Sequence, residues 1–419
     1  MFWLKLKAGA LQLTLFIAVV IALILAGFIL LVHTHKRFNI QTDYIIETSQ
    51  NTNKGINQAL INTIPLGDSI NIKNEDNKTL KVHREFWGVF EKIASVATIK
   101  KNKLKRVVLI GAIQPEKNRI ALYVQDNNKP LVVVGNTKIE GTAYLSGRGV
   151  KPGTISGQSY YGSQLIYGAT RRASILPKLL KETRTQLKSL SNSFVNIGPN
   201  QFLTLENGKT FSNSFLKPVQ LVYSNSEITL SNINVTGNIV IQSNSKIVVN
   251  PTAILKDIIL IAPEIDIRDS VKGNFQAIAS KNINVSKNVV LEYPSALVLN
   301  ETDMLQTSVS TKSNIMVNDF SIIRGVILFS SQSKVNNYTS QIEITENAKV
   351  IGEVYCTENI ELKGTVYGSV FTNNFIAKQS GSIYQNHIYN GTISVSELPE
   401  EYVGLSFNNS KKVVLKWLY

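Results

Sequence analysis

Residues 239–267, IVIQSNSKIVVNPTAILKDIILIAPEIDI, and 277–299, AIASKNINVSKNVVLEYPSALVL, decide the fold reading of this chain. Short β-branched runs return about every 20 residues: Ile239–Ile241, Ile258–Ile261, Ala277–Ala279 and Leu297–Leu299. A second series lies between them: Ile247–Val249, Ile265–Ile267, Ile283–Val285 and Val289–Leu291. Asn, Ser, Asp and Gly fill the corners and turn the chain. Strands this short cannot bury a face alone, but stacked they share a continuous core with parallel neighbours. The pattern predicts a β-solenoid, or β-helix, over 228–395. It lapses from Glu301 to Asn318, resumes at Ile322–Phe329 and continues to Phe375–Ala377. A solenoid end needs a cover. Residues 396–419 are assigned that role, with Ser396–Val403 and Pro399 as cap and Val413–Tyr419 as a covering strand.

Upstream the texture changes. Residues 135–227 form a Gly- and Tyr-rich β segment, with Tyr144, Tyr160, Tyr161 and Tyr167 among the glycines. Such tyrosines either line a sugar-binding face or pack at turns. Within this segment Leu176, Leu179, Leu180, Leu187 and Leu190 give an apolar stripe at helical spacing. The stripe predicts a helical insertion at about 177–190, with Pro177 in its first turn. Residues 38–134 read as a membrane-proximal helix, Phe38 to Asn62, followed by an antiparallel meander. Its strands are Phe86–Phe90, Ile93–Ile99, Val107–Ala112, Ile120–Val124 and Leu131–Val134, separated by polar turns.

Residues 1–37 hold a short basic leader, with Lys5 and Lys7, and an apolar run from Ala10 to Val32 closed by His33–Arg37. About 20 apolar residues cross a bilayer as a helix. The run is too long for a cleaved secretory signal. Two readings stand: a plain signal anchor, or a leader cut between Gly9 and Ala10. Lys and Arg flank the run about equally, but the very short segment before it favours an N-inside orientation. The bulk of the chain then lies outside the cytoplasm.

The chain has 419 residues and a net charge of +15. Cys356 is the only cysteine, so an intramolecular disulfide is impossible and a thiol-ligated zinc site is implausible. Packing and backbone hydrogen bonds must hold the fold. The positive charge points to an anionic partner: lipid headgroups, acidic polysaccharide or nucleic acid. The dense run is Lys100, Lys101, Lys103, Lys105 and Arg106, between Val96–Ile99 and Val107–Ile110. It reads as a basic hairpin tip, a solvated turn or a candidate contact for an anionic partner. Nucleic acid is disfavoured, because no aromatic residues interleave with the basic ones.

Polysaccharide-cleaving solenoids need two carboxylates held on one face. The candidates are Asp257, Glu264, Asp266 and Asp269. Glu264 and Asp266 share the outer face of one strand, but Asn282 and Asn284 stand at the same phase one rung later. His33 and His35 sit at the membrane edge, and His83 and His387 lack a second ligand at useful spacing. No nucleophile elbow, Walker loop or dinucleotide fingerprint is present. Neither enzyme activity nor a cofactor is expected.

The leader ending in Gly9, the following Ala10 and the long apolar helix resemble the N-terminal segment of type IV pilin-like proteins and pseudopilins. That family is cut after the Gly and packs its helix into a filament. Most members carry Glu five residues after the cut, where this chain has Thr14. The stretch Gly352 to Gly368 resembles bactofilin-like solenoids in texture, and pectin-lyase-like solenoids share the stacked architecture. The expected class is mainly β: an N-terminal transmembrane helix, a small α/β meander domain, then a C-terminal β-solenoid. The expected role is non-enzymatic: an envelope scaffold or assembly component, such as a minor pilin-like subunit of a surface filament or secretion apparatus. Its expected place is the bacterial inner membrane, single-pass, with a periplasmic bulk. Its expected partners are membrane lipid, other envelope proteins and an anionic glycan. The alternative is an envelope protein that binds or cleaves polysaccharide.

Overall fold

The computed structural model describes residues 8–62, 64–67, 69–73, 78–114, 119–189, 198–301, 313–331, 338–408 and 410–419. The fold is mainly β, with one long apolar N-terminal helix. Contacts divide the chain into two units. One comprises Met1–Gln58, Ser69–Val82 and Ser95–Lys105; the other comprises Ala59–Asp68, His83–Ala94 and Arg106–Tyr419.

In the first unit, helix α1 runs without a break from Ala8 to Ile61, 54 residues. Its N-terminal apolar side chains, such as Leu15, Phe16, Leu23, Phe28 and Leu31, are exposed, and the helix is long and apolar enough to cross a membrane. Further along, Thr48, Thr52, Gly55 and Ile56 share one buried face at helical spacing. Thr48 and Thr52 return their hydroxyls to the carbonyls of Tyr44 and Thr48, so neither hydroxyl is stranded there. A Cβ on Gly55 would stand 2.3 Å from Ser95 Oγ and 3.0 Å from side-chain carbons of Leu80 and Val82. Glycine lets helix and strands meet at that point.

Four strands follow, β1 (Ser69–Lys73), β2 (Lys78–Trp87), β3 (Phe90–Ile99) and β4 (Asn102–Ile113), hydrogen-bonded in that order. Phe86–Phe90 is not one strand as the sequence pattern suggested: Gly88, at φ +62°, turns β2 into β3. The chain leaves this sheet after Ile113 and returns to it at Val403–Gly404 and Lys411–Leu418, both antiparallel to β4. The expected covering strand at Val413–Tyr419 therefore covers the sheet edge, with Val413 opposite Gly111 and Leu418 opposite Val107.

Between these points the second unit stacks its strands in three parallel ladders that join into a closed system. The first places Val222, Ile241, Leu260, Ala277, Leu297, Ile327, Val354, Val370, Leu122, Ala143 and Thr170 in one register column. Its strands are buried on both faces, which explains their near-continuous apolar sequence. The second aligns Ile228, Ile247, Ile265, Ile283, Ile315, Ile342, Ile360 and Phe375. Here buried and less buried positions alternate, the mark of a half-covered sheet. The third aligns Phe211, Val235, Leu255, Gly273, Leu291, Ile323, Val350, Val366, Ile393 and Ile139. Each fully buried Ile or Leu contributes about 1.5–3 kcal/mol, so the shared core is the main source of cohesion.

At one corner Gly325, Gly352 and Gly368 stack in register, at φ 140°, 148° and 145°. A Cβ on Gly352 or Gly368 would lie 1.9 Å from the carbonyl oxygen of the glycine one rung before. Only glycine fits this column.

Several expectations need correction. The antiparallel order stops at Ile113, and Ile120–Val124 and Leu131–Val134 are parallel strands of the stack. A short apolar run serves a parallel or an antiparallel neighbour equally, so periodicity could not separate them. Val289–Leu291 belongs to the third ladder, not the second: Leu291 pairs with Gly273. The pattern resumes at Asn314, since Ile315 and Val317 are fully buried. Helix α2 spans only Lys181–Ser189; Pro177 precedes it, and Leu190 lies outside the described residues.

Spatial order also departs from chain order. Val370–Thr372 pairs with Leu122–Val124, so the earliest rung is held in the interior of the stack. Thr392–Ser394 is flanked by Thr365–Tyr367 on one side and Lys138–Glu140 on the other. Ser396–Val403 therefore leaves from the interior and caps neither end. The stretch after Arg172 runs back along the first ladder's outer column. Tyr123 Oη donates to Ile175 O at 3.0 Å, Tyr355 Oη to Pro177 O at 3.0 Å and Asn300 Nδ2 to Leu187 O at 3.0 Å. Leu176, Leu179 and Leu187 are buried beneath this strap.

Candidate functional site

Gly9 and Ala10 lie in the first turns of α1, exposed, with open space around Gly9. The leader before Ala8, including Lys5 and Lys7, falls outside the described residues.

The basic run forms the turn between β3 and β4 and the start of β4. Lys100 takes a left-handed φ of 52° at the turn, and its ammonium lies 4.4 Å from the ring centroid of Tyr44 on α1. Lys101 and Lys103 are exposed. Arg106, within the second unit, lies 5.9 Å from the Trp417 ring. Strand alternation turns Lys105 and Arg106 to opposite faces.

The four candidate acids are dispersed. The register places Lys246, Glu264, Asn282 and Asn314 in one column, and Val248, Asp266, Asn284 and Met316 in the next but one. Asp266 pairs with Lys246 at 2.7 Å and with Arg268 at 3.9 Å. That carboxylate also raises the pKa of Lys246. Asp257 sits at a bulge with φ 59° and pairs with Lys416. Asp269 accepts the Lys287 amide at 2.9 Å in a turn. Asp257, Asp266 and Asp269 are each engaged by a cation or by backbone, and Glu264 lies opposite Lys246 in the register.

His33 and His35 lie on α1, and His83 stands 3.9 Å from Glu85. His387 contacts Gln385 O through Nδ1, and burial lowers its pKa. Among the described residues, no group of three His, Cys, Asp or Glu is placed to hold a metal ion. Cys356 is fully buried, and burial pushes its thiol up, which makes it inert.

The most unusual polar cluster escaped the sequence reading. It sits where the chain passes from β4 into the stack and back. Glu353 is 1 % exposed, in the column of Ala296, Val326 and Ser369. Its Oε1 accepts Gln114 Nε2 at 2.8 Å, and its Oε2 accepts the Leu405 amide at 2.6 Å. A Cβ on Gly404 would collide with the carboxylate. The buried Arg119 donates to the carbonyls of Leu398, Pro399 and Glu400 at 3.0–3.2 Å. Tyr402 Oη donates to Gly325 O at 2.9 Å, and Tyr293 Oη donates to Val403 O at 2.8 Å. Burial raises the Glu353 pKa to about 7, against the opposing pull of the Leu405 amide, Gln114 and Arg119. The one available signal was a lone Glu inside the apolar run of residues 350–356. The cluster is sealed. A separate cavity in the second unit, lined by Trp87, Asp257, Gln276 and Leu418 among others, has about 10 Å³, room for one water at most. This cluster fastens segments together and offers no room for a substrate.

No protein-family model matches the chain, and no curated protein matches it. Among solved structures the chain is similar to the competence-associated pilin ComZ from Thermus thermophilus, at 10 % identity and a TM-score of 0.25. The match covers 89 % of this chain and 96 % of that one, a likeness too distant to carry an argument.

Proposed function

We propose that this chain is a membrane-anchored, non-enzymatic structural component of a bacterial envelope, and that it acts as a pilin-like subunit of a filament or secretion assembly. The observation that carries this reading is the unbroken α1. Its first part is apolar and exposed, and its second part buries Thr48, Thr52, Gly55 and Ile56 against strands. A helix apolar all round belongs in lipid or against copies of itself. The leader ending at Gly9, with Ala10 after it, supplies the place for a cut. Lipid and neighbouring subunits are then the partners of α1. In this reading the bulk of the chain faces the periplasm.

The three parallel ladders support reading the body as a β-solenoid inserted between β4 and the C-terminal strand. End-to-end polymerisation is disfavoured: Arg172 occupies the register position of core residue Leu145 in the last described strand of the first ladder. The polysaccharide-cleaving reading loses ground to the pairing of Asp257 and Asp266 with lysines.

Intact-mass measurement and N-terminal sequencing of the protein from its native membrane test the pilin-like reading. A mature chain beginning at Ala10 is expected. A chain still beginning at Met1 refutes it and leaves a plain signal anchor.

A further inference from the structure

We propose that the end of the stack built by residues 141–172 is a binding surface for an acidic polysaccharide. This inference stands on the second unit alone and does not depend on how α1 is processed. Between Glu140 and Ala173 the chain carries Arg148, Lys151, Arg171 and Arg172 and not one carboxylate. At the opposite end, residues 198–230 are balanced, with Glu206 and Glu227 against Lys209 and Lys217.

The topology concentrates this charge. Thr170–Arg172 pairs with Ala143–Leu145 as the outermost described strand of the first ladder. Arg171 continues the outward column of Tyr123 and Tyr144. The two tyrosine rings stack at 5.3 Å, and the Arg171 guanidinium lies 5.9 Å from the Tyr144 ring and donates to its hydroxyl at 3.2 Å. The Arg172 side chain is 80 % exposed, although it takes a core position in the register. Arg148 is exposed and donates to Asn128 at 3.2 Å. Asp126 lies 4.0 Å from Arg172 and also accepts the amides of Asn128 and Gly147, so one carboxylate stands against these cations.

Guanidinium forks match carboxylates in bidentate geometry, and tyrosine presents an apolar face with a polar tip. That combination suits a uronic-acid chain, in which carboxylates alternate with the flat faces of sugar rings. A duplex nucleic acid carries one charge per about 1.7 Å and is gripped by a long basic stripe. Here the cations occupy a few rungs at about 4.8 Å spacing, a patch short enough for one thin, flexible chain.

The test uses the full chain in detergent and polygalacturonate fragments as the probe. Binding is expected at about 0.1 M salt, weakening as salt rises. The double variant Arg171→Ala/Arg172→Ala is expected to bind at least tenfold more weakly with an unchanged melting temperature. A control, Lys272→Ala/Lys349→Ala, removes two exposed lysines elsewhere on the stack and is expected to bind as the parent does. Three results would overturn the proposal: no binding by the parent, equal loss in both double variants, or tighter binding of a short DNA duplex than of polygalacturonate.

Discussion

Replacing Glu353 by Gln should abolish a pH dependence that the fold otherwise carries. Glu353 is sealed among Gln114, Ser369, Arg119, Tyr293, Tyr402 and the Leu405 amide, and burial raises its pKa from 4.5 to about 7. Below pH 4.5 folded and unfolded chains both hold the proton, and the fold keeps its full stability. As pH rises from 4.5 to 7 the unfolded chain releases the proton while the folded chain retains it, so stability falls. Above about 7 the loss is complete. One pKa unit corresponds to about 1.4 kcal/mol, so the shift amounts to about 3 kcal/mol. In a unit of this size that is on the order of 5 °C in melting temperature. The glutamine keeps an acceptor for the Leu405 amide, and the Gln114 amide can rotate to face it. Melting temperatures of the parent and the variant, measured in detergent from pH 5 to 8, should diverge by about that amount as pH rises. The slope of the difference is the observable, because a constant offset reports only the change in packing. Hydrogen exchange at the Leu405 amide should accelerate with pH beyond its intrinsic rate in the parent alone. Parallel melting curves across this range would refute the assignment of a raised carboxyl to Glu353.

Other predictions follow from the packing. Gly368→Ala places a methyl against the Gly352 carbonyl and should cost several kcal/mol, whereas Gly381→Ala, also at positive φ but in open space, should cost about 1 kcal/mol; melting temperatures compare them. Tyr355→Phe removes the hydroxyl that holds Pro177, so limited proteolysis within 173–190 should quicken while global stability falls by only about 1 kcal/mol. Phe275→Ala empties a fully buried site in the stack and should cost about 3–5 kcal/mol by denaturant or thermal unfolding. Lys412→Met leaves Glu91 paired with Arg84 alone and should destabilise by about 1–3 kcal/mol in denaturant unfolding.

The sequence alone determined the elements whose signal is local. The apolar run after Gly9 is a helix because nothing in it breaks one. The isoleucine runs at 247, 265 and 283 stack in register as their spacing predicted, and Asn282 and Asn284 stand opposite Glu264 and Asp266. Turn residues and alternation encode where a strand begins and which face it buries. They do not encode which strand lies beside it. Ile120–Val124 looks like any short apolar strand, and only the folded chain shows that Val370–Thr372 lies against it. The leucines from 176 to 187 fit a helix or an extended strap, and the surface beneath them made part of that stretch a strap. Glu353 became a buried acid because the segments leaving and returning to the sheet meet over it. Its hydrogen-bond partners, Gln114 and the Leu405 amide, lie more than fifty positions away on either side, and no local pattern holds that information.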